Sequence, residues 1–228
     1  MEKKLNFLYS SIHGAYWVYY GVISSFSSVF LLARGFSNSQ IGIIIALANI
    51  LAVIIQPYLA DYVDRSGRTA IFSVMASMCI ALVLFTNIIL VAKNHLLLGA
   101  FYVAAFMLQS VMQPFCNGLN RVLEDGGNKI YFGFCRSIGS LVYSIVVVVL
   151  GYMVDSYTVD IIPKAGILTA LVLLAVVWFS YRAHNQNTSD VVENLVGHEI
   201  PAEKINLRDF LKGHRMFFMV NIEVLGLY

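Results

Sequence analysis

A chain that alternates long charge-free runs with short polar interruptions has few folds open to it. In hydrocarbon every backbone N–H and C=O must be satisfied within the chain itself, which leaves helices or a closed barrel. The sharpest interruption here runs from Gln56 to Arg68, QPYLADYVDRSGR. Ile41 to Ile55 before it and Thr69 to Ala92 after it carry no charge. With their flanks, both runs suit helices crossing about 30 Å of hydrocarbon. The interruption is therefore expected to be a turn at a membrane surface, with Gly67 making the reversal and Arg65 and Arg68 holding it on the cytoplasmic side. Composition agrees, since 12% of the residues are charged and 59% apolar, about half the charge of a soluble domain.

Taken in order, the first span is expected from Leu5 to Leu32, closing at Arg34-Gly35, where glycine suits a helix end. Ser37 to Gln40 has the S-x-x-Q form of a capping box and opens span two, about Ile41 to Leu59. Span three follows at Thr69 to Ala92 and span four at Leu96 to Leu119. Span five runs from Tyr131 to Val154 and span six from Ala165 to Tyr181, with a loop at Arg121 to Lys129 and a turn at Asp155 to Pro163. The fold class is thus an all-α membrane protein of six spans, 1–182, with a polar linker at 183–215. Within the linker, Ile205 to Leu211 is amphipathic and suits a membrane surface. Residues 216–228 begin a seventh apolar helix with thirteen of the roughly twenty residues a span needs. Lys3, Lys4, Arg65, Arg68, Arg121, Lys129, Arg182, Lys204, Arg208, Lys212 and Arg215 fall on one side, against Arg34, Lys93 and Lys164 on the other. That asymmetry puts the N-terminus in the cytoplasm.

Polar residues on a span mark a face turned to other helices or to water. Span one carries His13, Trp17, Tyr20, Ser24 and Ser28 at helical spacing; span four carries Gln109, Gln113 and Asn117; span five carries Gly133, Arg136, Ser140 and Tyr143. Span two adds Asn49 and Gln56. Spans three and six are aliphatic apart from Asn87 and scattered hydroxyls, and are expected to face lipid. Each stripe has a second reading as polar glue between packed helices, and His13 alone reads as a packing residue before it reads as a proton relay. Arg136 is the one charge at depth, where an arginine costs roughly 2.5–3.5 kcal/mol on insertion scales. Asp61, Asp64, Glu124, Asp125, Asp155 and Asp160 all lie at loops or span ends. The partners left for Arg136 are a substrate group, an acid of a further half, or Glu223. Snorkelling to the interface is the alternative.

Ala60-Asp61-Tyr62-Val63-Asp64-Arg65-Ser66-Gly67-Arg68 resembles the G-x-x-x-D-R/K-x-G-R/K loop of the major facilitator superfamily, with Ala60 where glycine is usual. Ser39 to Ile44 with Gln56-Pro57, and Tyr131 to Ser140, resemble the second and fifth helices of the lactose permease-like oligosaccharide:proton symporter group. The resemblance implies a 3+3 helix repeat, passage-lining first, second, fourth and fifth helices, and a gating role for Asp64, Arg65, Gly67 and Arg68. It casts Arg136 as the substrate-binding arginine, with Ser140 and Tyr143 beside it and Asn117 in place of a glutamate. Gln113 and Tyr20 complete that set, and Glu223 and His13 are the candidates for proton coupling. The implied protein is the N-terminal half of a cell-membrane secondary transporter, a proton-coupled symporter of a sugar or small organic solute. Its implied partners are that solute, protons, the lipid bilayer and a C-terminal six-helix half. A transporter of a small aromatic acid and a non-transporting six-span scaffold are the alternatives.

Other classes find no support. Cys79, Cys116 and Cys135 are odd in number and far apart, without metal or disulfide spacing. No G-x-x-x-x-G-K-S/T loop, H-E-x-x-H or Ser-His-Asp set is present, so neither an ATP-driven pump subunit nor a membrane enzyme is indicated. No cofactor or metal is expected, and a net charge of +2 gives no nucleic-acid surface.

Overall fold

The computed structural model describes residues 2–67, 69–124 and 129–192, with side chains described through Asn185. Arg68, most of the linker and the 216–228 segment with Glu223 lie outside the described residues. Seven helices follow one another: α1 (Glu2–Ile23), α2 (Ser27–Ala33), α3 (Asn38–Ser66), α4 (Ala70–Val91), α5 (His95–Leu123), α6 (Phe132–Ser156) and α7 (Ile161–Val192). Counting α1 and α2 together, six of the described stretches are long and apolar enough to cross a membrane.

The first span is broken where a continuous helix was expected. At Ser24 to Phe26 the Ser25 N–H reaches back to the Tyr20 carbonyl, while Ser27 gives both its N–H and its hydroxyl to Ser24 O, at 3.3 and 2.7 Å. Serine competes in this way with the helix ladder. The Ile23 carbonyl is taken up instead by the buried Tyr102 hydroxyl at 2.9 Å.

The polar interruption is not a loop. Helix α3 runs through Gln56, Pro57 and both aspartates to Ser66, and the chain reverses at Gly67, whose φ of 92° is the left-handed region that favours glycine. Polar residues at a membrane surface are wet on a helix as well as in a loop, so hydrophilicity did not break this one. Similarly, α7 continues past Tyr181 to Val192, so the first ten residues assigned to the linker are helical. The capping box forms as expected: Gln40 N–H donates to Ser37 Oγ at 3.2 Å and Ser37 N–H to Gln40 Oε1 at 2.8 Å. Asn94 caps α5 through its Oδ1, which accepts from Leu96 and Leu97 N–H.

Helix α1 packs most closely on α6, and α5 is held between α3 and α4. First span on fifth and fourth on second is the reciprocal pairing of two three-helix units. The α1–α6 approach centres on Gly139, where an added Cβ would lie 2.5 Å from Trp17 Cδ1 and 3.2 Å from the His13 carbonyl. Small residues bring backbones together where lipid offers no hydrophobic drive. The interior holds four fully buried tyrosines, Tyr9, Tyr16, Tyr19 and Tyr102, and each phenol finds a partner, as a buried hydroxyl must. Tyr9 donates to Asn117 O, Tyr16 to Gln109 O and Tyr102 to Ile23 O, while Tyr19 pairs with Thr86 Oγ1. At the end opposite Gly67, Arg34 Nη2 meets Asp160 Oδ1 at 2.7 Å, joining the end of α2 to the turn before α7.

Spans three and six were expected to face lipid, and burial within the six-span bundle does not single them out as the outward pair. Helices α4 and α7 bury a larger share of their length than α3 and α6. Ile43, Ile50 and Val53 on α3 and Leu141, Ile145 and Val148 on α6 are exposed. Aliphatic composition did not separate faces covered within the bundle from faces left open by it.

Candidate functional site

One face of α6 carries Arg136, Ser140 and Tyr143, and the face of α1 beside it carries Trp17 and Tyr20. The three rings gather there. Trp17 lies 5.1 Å from Tyr20 and 6.0 Å from Tyr143, and Tyr20 is 6.1 Å from Tyr143, between ring centroids. Ser25, displaced off the α1 stripe by the helix break, hydrogen-bonds Tyr143 Oη at 2.9 Å. Arg136 and Ser140 are exposed, and Tyr20, Trp17 and Tyr143 are half-buried. Among the described residues Arg136 forms neither an ion pair nor a hydrogen bond.

His13 is 1% exposed and neither ring nitrogen has a hydrogen-bond partner among the described residues. Its ring meets Tyr9 edge-on at 4.7 Å and Phe132 at 6.2 Å. It sits behind the open face rather than on it.

The span-four stripe divides. Gln109 is buried and committed to packing, its Oε1 accepting from Ser24 Oγ at 2.9 Å and its carbonyl from Tyr16. Ser24 is buried with it. Gln113 and Asn117 are half-buried, and their side-chain amides make no hydrogen bond with the described residues. Among the described residues neither hydrogen-bonds Arg136. Asn49 accepts a long bond, 3.4 Å, from Ser110 Oγ and so ties α3 to α5. Gln56 is half-buried one residue before Pro57.

At the α3 terminus, Arg65 pairs with Asp61 at 2.9 Å rather than with Asp64, both groups being well exposed. Such a surface i,i+4 pair contributes roughly 0.3–0.5 kcal/mol. Asp64 is exposed without an ion-pair partner among the described residues, next to the turn at Gly67.

Sequence reasoning passed over two residues. Ser25 stands one place off the stripe, and only the helix break brings it to Tyr143. Asn6 lies at the far end of α1, donating to the carbonyls of Glu2 and Lys129 and accepting from Tyr131 N–H, so that it pins the start of α6. A lone amide in an apolar N-terminal run was the available signal.

Six apolar spans in a reciprocal 3+3 pairing, with an aromatic and cationic face on the first and fifth, define the architecture of a multi-pass membrane protein. The chain belongs to the MFS_1 like family, which it matches over residues 9–227, and is a membrane transporter. No curated protein and no solved structure matches it.

Proposed function

We propose that this protein is a secondary active transporter that moves a small organic solute by proton-coupled symport and alternating access, with Arg136 as the substrate anchor. The observation that carries the reading is the exposed guanidinium, unpaired among the described residues, on the α6 face that also bears Ser140 and Tyr143. An arginine fork grips a carboxylate or two hydroxyls bidentately. The Trp17, Tyr20 and Tyr143 rings supply flat apolar area against which a sugar face or an aromatic ring stacks. Gln113 and Asn117 offer amides from α5, unbonded among the described residues, to complete the polar lining. A second six-helix half closes the passage, and rocking of the halves about the midplane exposes the site to each side in turn. Asp64, Arg65, Gly67 and Arg68 act at the helix ends that move, and His13 and Glu223 are the candidate proton carriers.

Two solute classes fit, a neutral sugar and a small aromatic acid. The absence of a carboxylate against Arg136 among the described residues favours the acid, since a cation two helical turns along the same α6 face from an aromatic cluster is complementary to an aromatic carboxylate. The test is substrate binding and proteoliposome uptake by the complete transporter. Arg136→Lys is expected to keep insertion and lose most uptake. Asn117→Glu weakens binding if the solute is an acid, by adding a like charge to the solute site, and preserves or improves it if the solute is a sugar. Unchanged binding in Arg136→Lys removes Arg136 from the site.

A further inference from the structure

A cavity of about 840 Å³ opens between α1, α6 and α7, on the side of α1 and α6 turned away from the aromatic face. Phe7, Val18, Ile138, Val142, Leu168 and Val172 form its walls. The donors of its polar lining are already engaged. Ser10 Oγ donates to Asn6 O, Ser11 Oγ to Phe7 O and Thr169 Oγ1 to Gly166 O, and the Asn6 amide is used by Glu2, Lys129 and Tyr131. Along the apolar walls these hydroxyls keep only acceptor lone pairs for a solute. Along α1 the groove runs from Lys3 to Val18, about 22 Å at 1.5 Å per residue. That exceeds the ~15 Å depth of one leaflet's hydrocarbon.

Only the mouth is charged. Lys3 lines it with Glu2, and an adjoining cavity sharing Phe7, Ser11 and Val176 adds Lys4 and Arg182. Lys129 Nζ lies 5.5 Å over the Tyr131 ring at the same rim. Four cations thus stand against one carboxylate. An acyl chain gains little by exchanging the bilayer for an apolar groove, because lipid tails are as apolar as the walls. Selection falls on the headgroup, and juxtamembrane Lys and Arg attract anionic ones.

We infer that this groove is a binding site for an anionic phospholipid, one acyl chain lying between α1, α6 and α7 and the phosphate held at Lys3, Lys4 and Arg182. Gly14 provides a test because it lines the groove and an added Cβ there meets no atom within 4 Å. Gly14→Leu thus enters the groove from the α1 side on an unhindered Cβ, and Leu168→Trp adds bulk to it from α7. The experiment counts copies of lipid retained on the purified protein by native mass spectrometry, after exchange with phosphatidylglycerol or with phosphatidylcholine of the same chains. The wild type is expected to retain phosphatidylglycerol preferentially. The variant Lys3→Gln/Lys4→Gln/Arg182→Gln loses that preference, by about fivefold for each cation engaged. Both groove-filling variants, if folded, lose the retained copy. Equal retention of the two lipids by the wild type, an undiminished preference in the charge variant, or wild-type retention in either folded groove-filling variant overturns the proposal.

Discussion

Gly139→Ala tests how the α1–α6 pair is held together. The new methyl carbon would stand 2.5 Å from Trp17 Cδ1, 3.3 Å from Trp17 Cγ and 3.2 Å from the His13 carbonyl oxygen. Ordinary carbon contacts begin near 3.5 Å, so the indole must withdraw by roughly 1 Å or the helices must part by a similar distance. Trp17 has little room to withdraw, with Tyr16 at 5.7 Å, Tyr20 at 5.1 Å and Tyr143 at 6.0 Å around it, between ring centroids. Overpacking of this kind costs about 1–3 kcal/mol. Alanine also favours a helix over glycine by up to about 1 kcal/mol, which would mask part of the loss. Gly118→Ala is the control, because an added Cβ at Gly118 in α5 meets nothing within 4 Å while the propensity gain is the same. Unfolding of the purified protein in mixed micelles, followed by tryptophan fluorescence, should place Gly139→Ala about 1–3 kcal/mol below Gly118→Ala. Equal stability of the two variants would show that the α1–α6 contact is not set by Gly139.

Two further measurements check the frame of the bundle. Arg34→Gln, Asp160→Asn and the double variant form a cycle across the 2.7 Å ion pair. Because the two side chains are 26% and 43% exposed, the coupling should be no more than about 1 kcal/mol and should shrink in high salt; a larger, salt-insensitive coupling would mean the pair is drier than its exposure implies. Cysteines placed at Ser66 and Asn94, both exposed, should label from opposite sides of the membrane, Ser66 from the cytoplasm, against a background in which Cys79, Cys116 and Cys135 are buried. External labelling of position 66 and not 94 would invert the topology.

The span count and most boundaries were legible because hydrophobic length is a property of the chain alone. So was the Ser37–Gln40 box, whose two bonds are local. The break at Ser24 was not, since four serines from Ser24 to Ser28 are compatible with an unbroken helix until Tyr102, far away in sequence, takes the Ile23 carbonyl. The segment before Gly67 was misjudged by polarity, although Asp61 and Arg65 stand at the i,i+4 spacing of a helical ion pair. At the candidate site, Arg136 stood out as the one charge assigned to a span, and the structure puts it in the second turn of α6, four residues after the helix starts at Phe132. Periodicity grouped Gln109 with Gln113 and Asn117, and Ser24 with Tyr20, but which members turn inward to bond one another depends on helix rotation and on neighbours that a single stripe does not encode.

The buried phenols tie helices together in a particular currency. Tyr9 and Tyr16 donate to the backbone carbonyls of Asn117 and Gln109, not to their side chains. Every amino acid carries that carbonyl, so the tie from Tyr9 survives any replacement at position 117 that keeps α5 helical. The side chain there is thereby released from structural duty. On the proposed role of Asn117 in the solute site, preference there is free to drift over generations while the fastening between α1 and α5 stays the same, and a new specificity does not require a new scaffold.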